Sequence, residues 1–541
     1  MNIKIISILS FFFLLLALLF KTKWETIEDK GKTHSPKKSL YLNLSSEPVS
    51  LDPRRSGDLI SDNVTRMLFE GLTRIDSEGT PLPSLAEKIE VLKNKKTYLF
   101  FLKESYWSDG TPLTAHDFEY SWKQRLSPNF PAHSVHQMYV IKNAKAAKEG
   151  KISPKEIGIK ALDNKTLKID LEFPAPYFLE LVSGHSYFPI SQSLDKENPD
   201  WSLKRDSSFI GNGPFKLKIH KTFQNIILEK NPFFWDHNNV HIDEIKMSII
   251  SDSNTELHMF DNNELDWAGA PFSQLPSDAI PALKERNDFH SIPALGICCY
   301  KLNTKKRPLH HPKIRKALAY AINREKIITH ITQSTETPAT GLFPHHINSK
   351  KINYFKDYDL EKAKKLFSEA LEELEIEKKH FPEIVLSFHT SENNQKIAQT
   401  IQQQWREAFG LSVSLENCEW QVYLNKLRSY DYQIGRMGWI GDVNDPIHFL
   451  ELYKYADDHI YGGNETQWEH PLYQELLDKA SFASEKKERE KMLMEAERFL
   501  MEEMPIIPLF YISFNYLKKD RVCNFIFAKQ GFLDFRHAYL K

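Results

Sequence analysis

Clusters of strand-like segments alternate with helical segments along the chain, and this order constrains the fold more than any other feature. Apolar residues recur at helical spacing mainly in the second half, as in the segment that starts at Pro312 and the one that stops at Gly410. Because no uniform strand–helix repeat occurs, the sequence predicts an α/β fold built from separate lobes. A chain of 541 residues is also too long for one hydrophobic core.

The stretch YDYQIGRMGWIGDVNDP, residues 430–446, combines a strand with a glycine-rich, acidic turn. Its first half alternates at period two, which places Ile434 and Arg436 on one face. Glycines then flank Trp439, and an acidic segment begins at Asp442. Since glycines beside an aromatic residue and an acid leave room for close approach, we expect another backbone to lie against this stretch.

Several classes of function are disfavoured by charge and motif content. The formal net charge of -1 argues against a nucleic-acid surface. No GxSxG, HExxH or GxxxxGK[ST] motif occurs, so we expect no enzyme, no metal site, no cofactor and no ATP hydrolysis by this chain. The His310–His311 and His345–His346 pairs stand in polar surroundings, which is typical of surface loops.

The four cysteines are Cys298, Cys299, Cys418 and Cys523. The absence of CxxC argues against zinc. Two alternatives remain open: either Cys298 or Cys299 pairs with Cys418, or the thiols stay free and buried.

The N-terminus predicts export. Lys4 is followed by an apolar run from Ile5 to Phe20, which is typical of a signal segment. Residues 21–38 are polar and rich in lysine, as in a linker. We expect a periplasmic protein, and the sequence leaves open whether residues 1–20 are cleaved or remain as an anchor.

Seven motifs follow one another along the chain. They are SLDP (50–53), LFEGLTRID (68–76), WSDGTPLTAHDFEYSW (107–122), GNGPFKL (211–217), NPFFWD (231–236), YKLNTKKRPLHHPKIRKALAYAINREKII (300–328) and RMGWIGDVNDP (436–446). Together they resemble the extracytoplasmic oligopeptide-binding proteins of ABC importers. The resemblance covers nearly all of the chain after residue 40.

The resemblance implies a type II, cluster C periplasmic-binding-protein-like fold with an extra domain. Two lobes would be joined by two strands and would close on the ligand. The implied parts are lobe I (39–69, 194–291 and 506–541), the extra domain II (70–193) and lobe III (292–505).

The same resemblance implies a site for a peptide. Asp442 would hold the α-ammonium group, Arg436 would lie near the C-terminal part of the ligand, and Gly438 would offer backbone pairing. Trp439 and Trp420 would line side-chain pockets. From the residues alone, a turn-capping aspartate, a solvated arginine and core tryptophans remain the alternatives.

Three further positions match less closely. They are Tyr120, Tyr511, whose alignment is ambiguous with Phe510, and Leu59 in the loop RRSGDLI after SLDP.

The chain also departs from the family. The positions where relatives place basic side chains for the peptide carboxylate read Asn394 and Leu427, with Lys426 and Arg428 nearby. The positions of a disulfide found in some relatives read Gly296 and Ile440.

The implied function is that of an exported, monomeric solute-binding protein that captures short peptides and delivers them to the permease subunits of an ABC importer. The alternatives keep the fold but change the ligand to a muropeptide, a dipeptide, haem or a nickel chelate. A sensor or chaperone without a transport role is a further alternative.

Overall fold

The structure is a computed structural model that describes residues 37–132, 135–344, 347, 352–456, 464–483 and 485–541. The predicted signal segment 1–20, most of the predicted linker and the His345–His346 pair lie outside these residues. Within the described ranges, no helix is long and apolar enough to cross a membrane.

The strands are numbered in chain order. They are β1 (Ser39–Leu44), β2 (Thr73–Ile75), β3 (Pro81–Pro83), β4 (Ala86–Val91), β5 (Thr97–Leu102), β6 (Ile159–Ala161), β7 (Thr166–Asp170), β8 (Phe215–Lys221), β9 (Asn225–Lys230), β10 (Glu244–Ile249), β11 (Trp267–Gly269), β12 (Phe289–Leu302), β13 (Thr337–Pro338), β14 (Ile384–His389), β15 (Val413–Cys418), β16 (Ile434–Ile440), β17 (Ile506–Lys518), β18 (Val522–Cys523), β19 (Ile526–Phe527), β20 (Leu533–Asp534) and β21 (Tyr539–Leu540).

The α-helices are numbered in the same way. They are α1 (Leu59–Leu68), α2 (Ala115–Arg125), α3 (Ala144–Lys148), α4 (Phe178–Leu181), α5 (Gln192–Glu197), α6 (Ser253–Asp261), α7 (Ile280–Leu283), α8 (Pro312–Tyr320), α9 (Arg324–Ile327), α10 (Leu360–Glu373), α11 (Glu392–Phe409), α12 (Trp420–Arg428), α13 (Ile447–Leu450), α14 (Pro471–Phe482) and α15 (Lys486–Glu503). Short 3₁₀ turns include Val135–Val140 and His185–Tyr187, and a π-helical turn spans Ile328–Thr332.

The large sheet has the strand order β11-β17-β12-β16-β14-β15, and β13 pairs with β17 on the outside of this path. Its two longest strands, β12 and β17, run antiparallel over most of their lengths. Most of β17 and the second half of β12 are buried, as expected for strands covered on both faces.

Two smaller sheets lie in the N-terminal half. One has the order β1-β10-β9-β8, and the other has the antiparallel order β4-β5-β7-β6. Helix α2 packs beside the second sheet through Phe118 and Trp122, both fully buried, and the Trp122 indole donates to the Tyr187 carbonyl at 2.8 Å. One apolar core underlies these sheets and reaches β17, and a second core fills the later half around Trp405.

Several helix boundaries are set by capping contacts, and the helix end predicted at Gly410 is confirmed. Thr114 and Asp117 form a capping box at the start of α2. Asp359 accepts the Lys362 N–H at the start of α10. Gly410 ends α11 with φ of 68°, a left-handed conformation that glycine adopts without strain.

Strand β11 starts at Trp267, directly after Asp266, whose carboxylate accepts from the Tyr41 N–H and from Arg521. Strand β16 starts at Ile434, within the stretch 430–446 where the alternation predicts a strand. The Tyr432 hydroxyl, just before this strand, donates to the Glu465 carbonyl.

The four cysteines are free thiols, with Cys298 and Cys299 buried in β12. The alternative of a bond to Cys418 is therefore wrong. Gly296 and Ile440 are direct partners across β12 and β16, as the matched disulfide positions imply.

Candidate ligand-binding site

The structure has a cavity of about 700 Å³, and β16 forms one of its walls. Its lining comes from segments far apart in sequence. Lining residues occur within Ser56–Asp62, Ala270–Leu275, Thr332–Glu336, His389–Ile397, Arg436–Asp442 and Ile512–Asn515, and they include Phe510 and Phe532. Such a volume falls within the range of natural ligand sites.

Part of β16 presents a free edge toward this cavity. β14 pairs with β16 only at Ile434 and Gly435, whereas β12 pairs along its whole length. The Gly441 N–H donates to the Leu295 carbonyl at 2.7 Å, so odd-numbered residues here turn their backbone groups toward β12. The alternation of a strand then directs the N–H and C=O groups of Gly438 to the free edge, where an extended chain can pair.

Gly438 also leaves space above the strand. A Cβ atom built there would meet nothing closer than the Ile297 carbonyl oxygen at 3.7 Å. At Gly435 on the same strand, a Cβ atom would lie 2.6 Å from Leu427 Cδ2. Gly435 is therefore required by packing, whereas Gly438 borders open space, as expected of a residue that faces a ligand.

Asp442 lies at one end of this edge, two residues after β16, and it lines the cavity. Gln137 Nε2 donates to Asp442 Oδ2 at 2.5 Å. Among the described residues, no lysine or arginine nitrogen lies within 4.0 Å of this carboxylate to form an ion pair. Burial raises the pKa of Asp442, although His448, the Gln137 hydrogen bond and Arg66 act in the opposite direction. Asp442 is thus an enclosed acid that forms no close ion pair with a lysine or arginine of the described residues, although Arg66 acts on it at longer range.

A second acid, Asp62 on α1, stands at the same end of the cavity. It accepts a short hydrogen bond from the Ser56 hydroxyl, and His185 Nδ1 lies 3.2 Å from its Oδ1. Burial raises the pKa of Asp62, and Asp442 raises it further. Sequence reasoning singles out only Leu59 in this region. Asp62 follows Leu59 by three residues in the first turn of α1, a spacing that could have pointed to Asp62 as well.

Arg436 lies at the other end of the strand edge. It is the single lysine or arginine among the described residues that line the cavity. Its Nε atom is buried and has no hydrogen-bond partner in the part of the chain that the structure describes. The guanidinium group can therefore receive a carboxylate from a ligand.

Other predicted site residues also reach the cavity. Trp420, Trp439 and Leu59 line it together with Gly438. Trp420 is 41% exposed, far more than a core tryptophan. The Trp439 Nε1 atom is buried with no partner among the described residues, so it can donate to a bound molecule.

Tyr120 and Tyr511 are not brought to the cavity. The Tyr120 hydroxyl donates to Asp195 at 2.9 Å, and the Tyr511 hydroxyl donates to the Gly341 carbonyl at 3.2 Å. Phe510, the alternative to Tyr511, does line the cavity. Strand alternation explains this exchange, because neighbouring residues of β17 point to opposite faces.

Of the positions where relatives place basic side chains for the peptide carboxylate, one lines the cavity and one does not. Asn394 lines the cavity, where its side-chain amide contacts His389 Nε2 at 3.0 Å. Leu427 is buried in the packing around Tyr423 and Tyr432. Lys426 pairs with Glu416 at 2.8 Å, away from the cavity. None of these three positions brings a second basic side chain to the cavity beside Arg436.

Two further titratable residues in the cavity, Glu336 and His389, were missed by sequence reasoning. Burial raises the pKa of Glu336 to about 7, while Thr332 and Arg436 act to lower it. Burial and the nearby Arg436 lower the pKa of His389 to about 4, so its ring is neutral near pH 7. Neither residue belongs to a recognisable motif, and only the folded chain brings them to Arg436.

Solved structures define the class of protein to which this arrangement belongs. The structure of the Escherichia coli murein tripeptide binding protein MppA has a TM-score of 0.84 at 27% identity and covers 94% of this chain and 99% of that one. Haemophilus influenzae OppA in complex with RPPGFSPFR has a TM-score of 0.82 at 27% identity, with the same coverage. The fold is thus the two-lobe α/β fold of periplasmic-binding-protein type with an extra N-terminal domain.

The sequence comparisons name the family. Residues 80–459 match the bacterial extracellular solute-binding proteins, family 5 Middle. The oligopeptide-binding protein OppA of Bacillus subtilis is 40% identical over 519 residues, which cover 95% of this chain and 94% of that protein. The chain belongs to family 5 of the bacterial extracellular solute-binding proteins, a family that binds solutes.

Proposed function

We propose that this protein captures short peptides in the cavity beside β16 and delivers them to the permease subunits of an ABC importer. The observation that carries the proposal is the pair of unmatched charges along one free strand edge. Asp442 at one end suits an α-ammonium group, and Arg436 at the other suits a carboxylate. The Gly438 backbone between them can pair with any peptide, whatever its sequence. The names of the similar proteins, oligopeptide- and murein-peptide-binding, support the same ligand class.

The test uses calorimetry with an unmodified tripeptide of alanine and the same tripeptide carrying an N-acetyl group. Acetylation converts the α-ammonium group into a neutral amide and leaves the other backbone groups of the peptide unchanged. We expect the free tripeptide to bind and the acetylated one to lose at least a hundredfold in affinity, since a buried ammonium–carboxylate pair contributes a few kcal/mol. Equal binding of both peptides would contradict the role proposed for Asp442.

A second measurement needs no choice of ligand. The protein is purified without denaturation, and the mass of any small molecule released by acid is determined. A peptide mass supports the proposal, and a haem or a nickel chelate contradicts it.

We also infer that the protein is exported and acts in the periplasm as a monomer, with residues 1–20 as its signal segment or inner-membrane tether. The N-terminal apolar run and the periplasmic relatives support this location. N-terminal sequencing of the mature protein distinguishes the two: cleavage removes the run, and a tether retains it.

A further inference from the structure

Glu336 stands at the Arg436 end of the cavity, on the segment that leads into β13. β13 pairs with β17, which pairs with β12, which in turn pairs with β16. The large sheet therefore carries Glu336 and Arg436 on separate strands, yet both line the same cavity and act on each other electrostatically.

The two charges do not satisfy each other. Within the described residues, no ion pair of 4.0 Å or less joins Glu336 to Arg436. Glu336 Oε2 and Arg436 Nε are both buried atoms with no hydrogen-bond partner there. Leaving a buried charged group without a partner costs more than the hydrogen bond itself would contribute. Because Glu336 and Arg436 do not pair with each other, they suit a ligand that carries one cationic and one anionic group.

The surrounding groups favour a cation as the partner of Glu336. Thr332, Ser334 and Asn394 line this part of the cavity as neutral polar residues. Lys284, a second cation that acts on Glu336, donates to the Ser334 carbonyl at 3.0 Å and does not line the cavity. A ligand carboxylate at Arg436 would leave Glu336 as the acid that faces the adjacent side chain.

We infer that Glu336 selects peptides with a positively charged side chain on the residue whose carboxylate is bound by Arg436. The chemical class is a C-terminal lysine, ornithine, arginine or other diamino acid. This inference rests on the proposed function, because it requires a peptide whose amino end lies at Asp442. It goes further in naming a side-chain preference and the residue that sets it.

The test compares tripeptides Ala-Ala-X by calorimetry at pH 8, with lysine, N-acetyl-lysine and norleucine as X. The acetylated side chain has the length of lysine without its charge. We expect lysine to bind at least tenfold more tightly than the other two. If all three bind with equal affinity, the inference is overturned while the proposed function stands. If none binds, the proposed function itself fails.

The variant Glu336→Gln keeps the size of the side chain and removes its charge. We expect the lysine-to-norleucine affinity ratio to fall close to one, through weaker binding of the lysine peptide. Glu325→Gln is the matched control, because Glu325 is exposed on α9 of the same segment. An unchanged ratio in Glu336→Gln overturns the inference. If Glu336→Gln does not fold, the comparison of lysine with N-acetyl-lysine on the natural protein decides it alone.

Discussion

The two ends of the cavity use opposite arrangements of charge. At the Asp442 end, two acids stand close together and are held by neutral donors, namely Gln137 and the Ser56 hydroxyl. At the Arg436 end, a buried cation faces an acid that it does not contact. We propose that the first end receives one cation and that the second receives a group that carries both signs.

This difference suggests how a peptide-binding protein can be general and selective at once. Every peptide has an α-ammonium group, so an anionic end accepts all of them. Side chains differ, so a mixed end can discriminate among them by charge. The free edge of β16 between the two ends imposes no preference because it offers only backbone groups.

The largest effect is expected at the anionic end. Asp442→Asn should lower tripeptide affinity by about 3–5 kcal/mol, because the ligand ammonium would be buried without a counter-charge. This corresponds to roughly two to three and a half decades in Kd. Asp431→Asn serves as the control, because that side chain is 77% exposed and lies outside the cavity. If calorimetry gives the same tripeptide affinity for Asp442→Asn and Asp431→Asn, Asp442 does not bind the ligand ammonium, and the contrast between the two ends of the cavity fails.

A smaller effect is expected at the mixed end. Arg436→Gln should cost about 1.5–3 kcal/mol of binding free energy, typical of a hydrogen bond to a charged group. A C-terminally amidated tripeptide should lose a similar amount on the natural protein and little more on the variant. Additive losses would show that Arg436 and the carboxylate do not interact.

Two glycines of β16, Gly435 and Gly438, allow an effect on folding stability to be measured separately from an effect on ligand binding. Gly435→Ala should lower the free energy of unfolding by about 1–3 kcal/mol, because the added methyl group crowds Leu427. Gly438→Ala should leave that free energy nearly unchanged, and the larger Gly438→Leu should still fold but reduce tripeptide affinity at least tenfold. Denaturant titration and calorimetry measure the two quantities. A folded Gly438→Leu protein with normal affinity would place the ligand elsewhere.

The smallest effect is a pH dependence of selectivity. The pKa of Glu336 is raised to about 7, and a ligand cation favours its ionised form. Glu336 is therefore mostly charged at pH 8 and mostly neutral at pH 6. Below the pKa of Glu336, its ionised fraction falls about tenfold for each pH unit. The lysine-to-norleucine affinity ratio should therefore fall about tenfold between pH 8 and pH 6. Arg436 and Lys284 are the charged groups that act on Glu336, and His389, whose pKa is lowered to about 4, stays neutral over this range. A constant ratio between pH 6 and pH 8 would show that Glu336 does not meet the side chain.

The sequence predicted the parts of the site that lie within one continuous stretch. Arg436, Gly438, Trp439 and Asp442 belong to a single motif, so their shared cavity wall follows from one strand and its turn. The sequence missed Asp62, Glu336 and His389, because each reaches the cavity from a different element. Tyr511 shows the limit of alignment: a shift of one residue exchanges it for Phe510 and reverses the face of β17.

By itself, the sequence determined the α/β class, the capped helix starts and the strand that leads to Asp442. These features depend on local periodicity and on contacts within a few residues. Only the tertiary structure decided which charges stay unpaired, because pairing depends on distances between segments that are hundreds of residues apart. It left Asp442 and Arg436 without an ion pair within 4.0 Å among the described residues and brought Glu336 to the cavity that Arg436 lines. Burial then raises the cost of each unmet charge, which makes these residues the candidates for contact with a ligand.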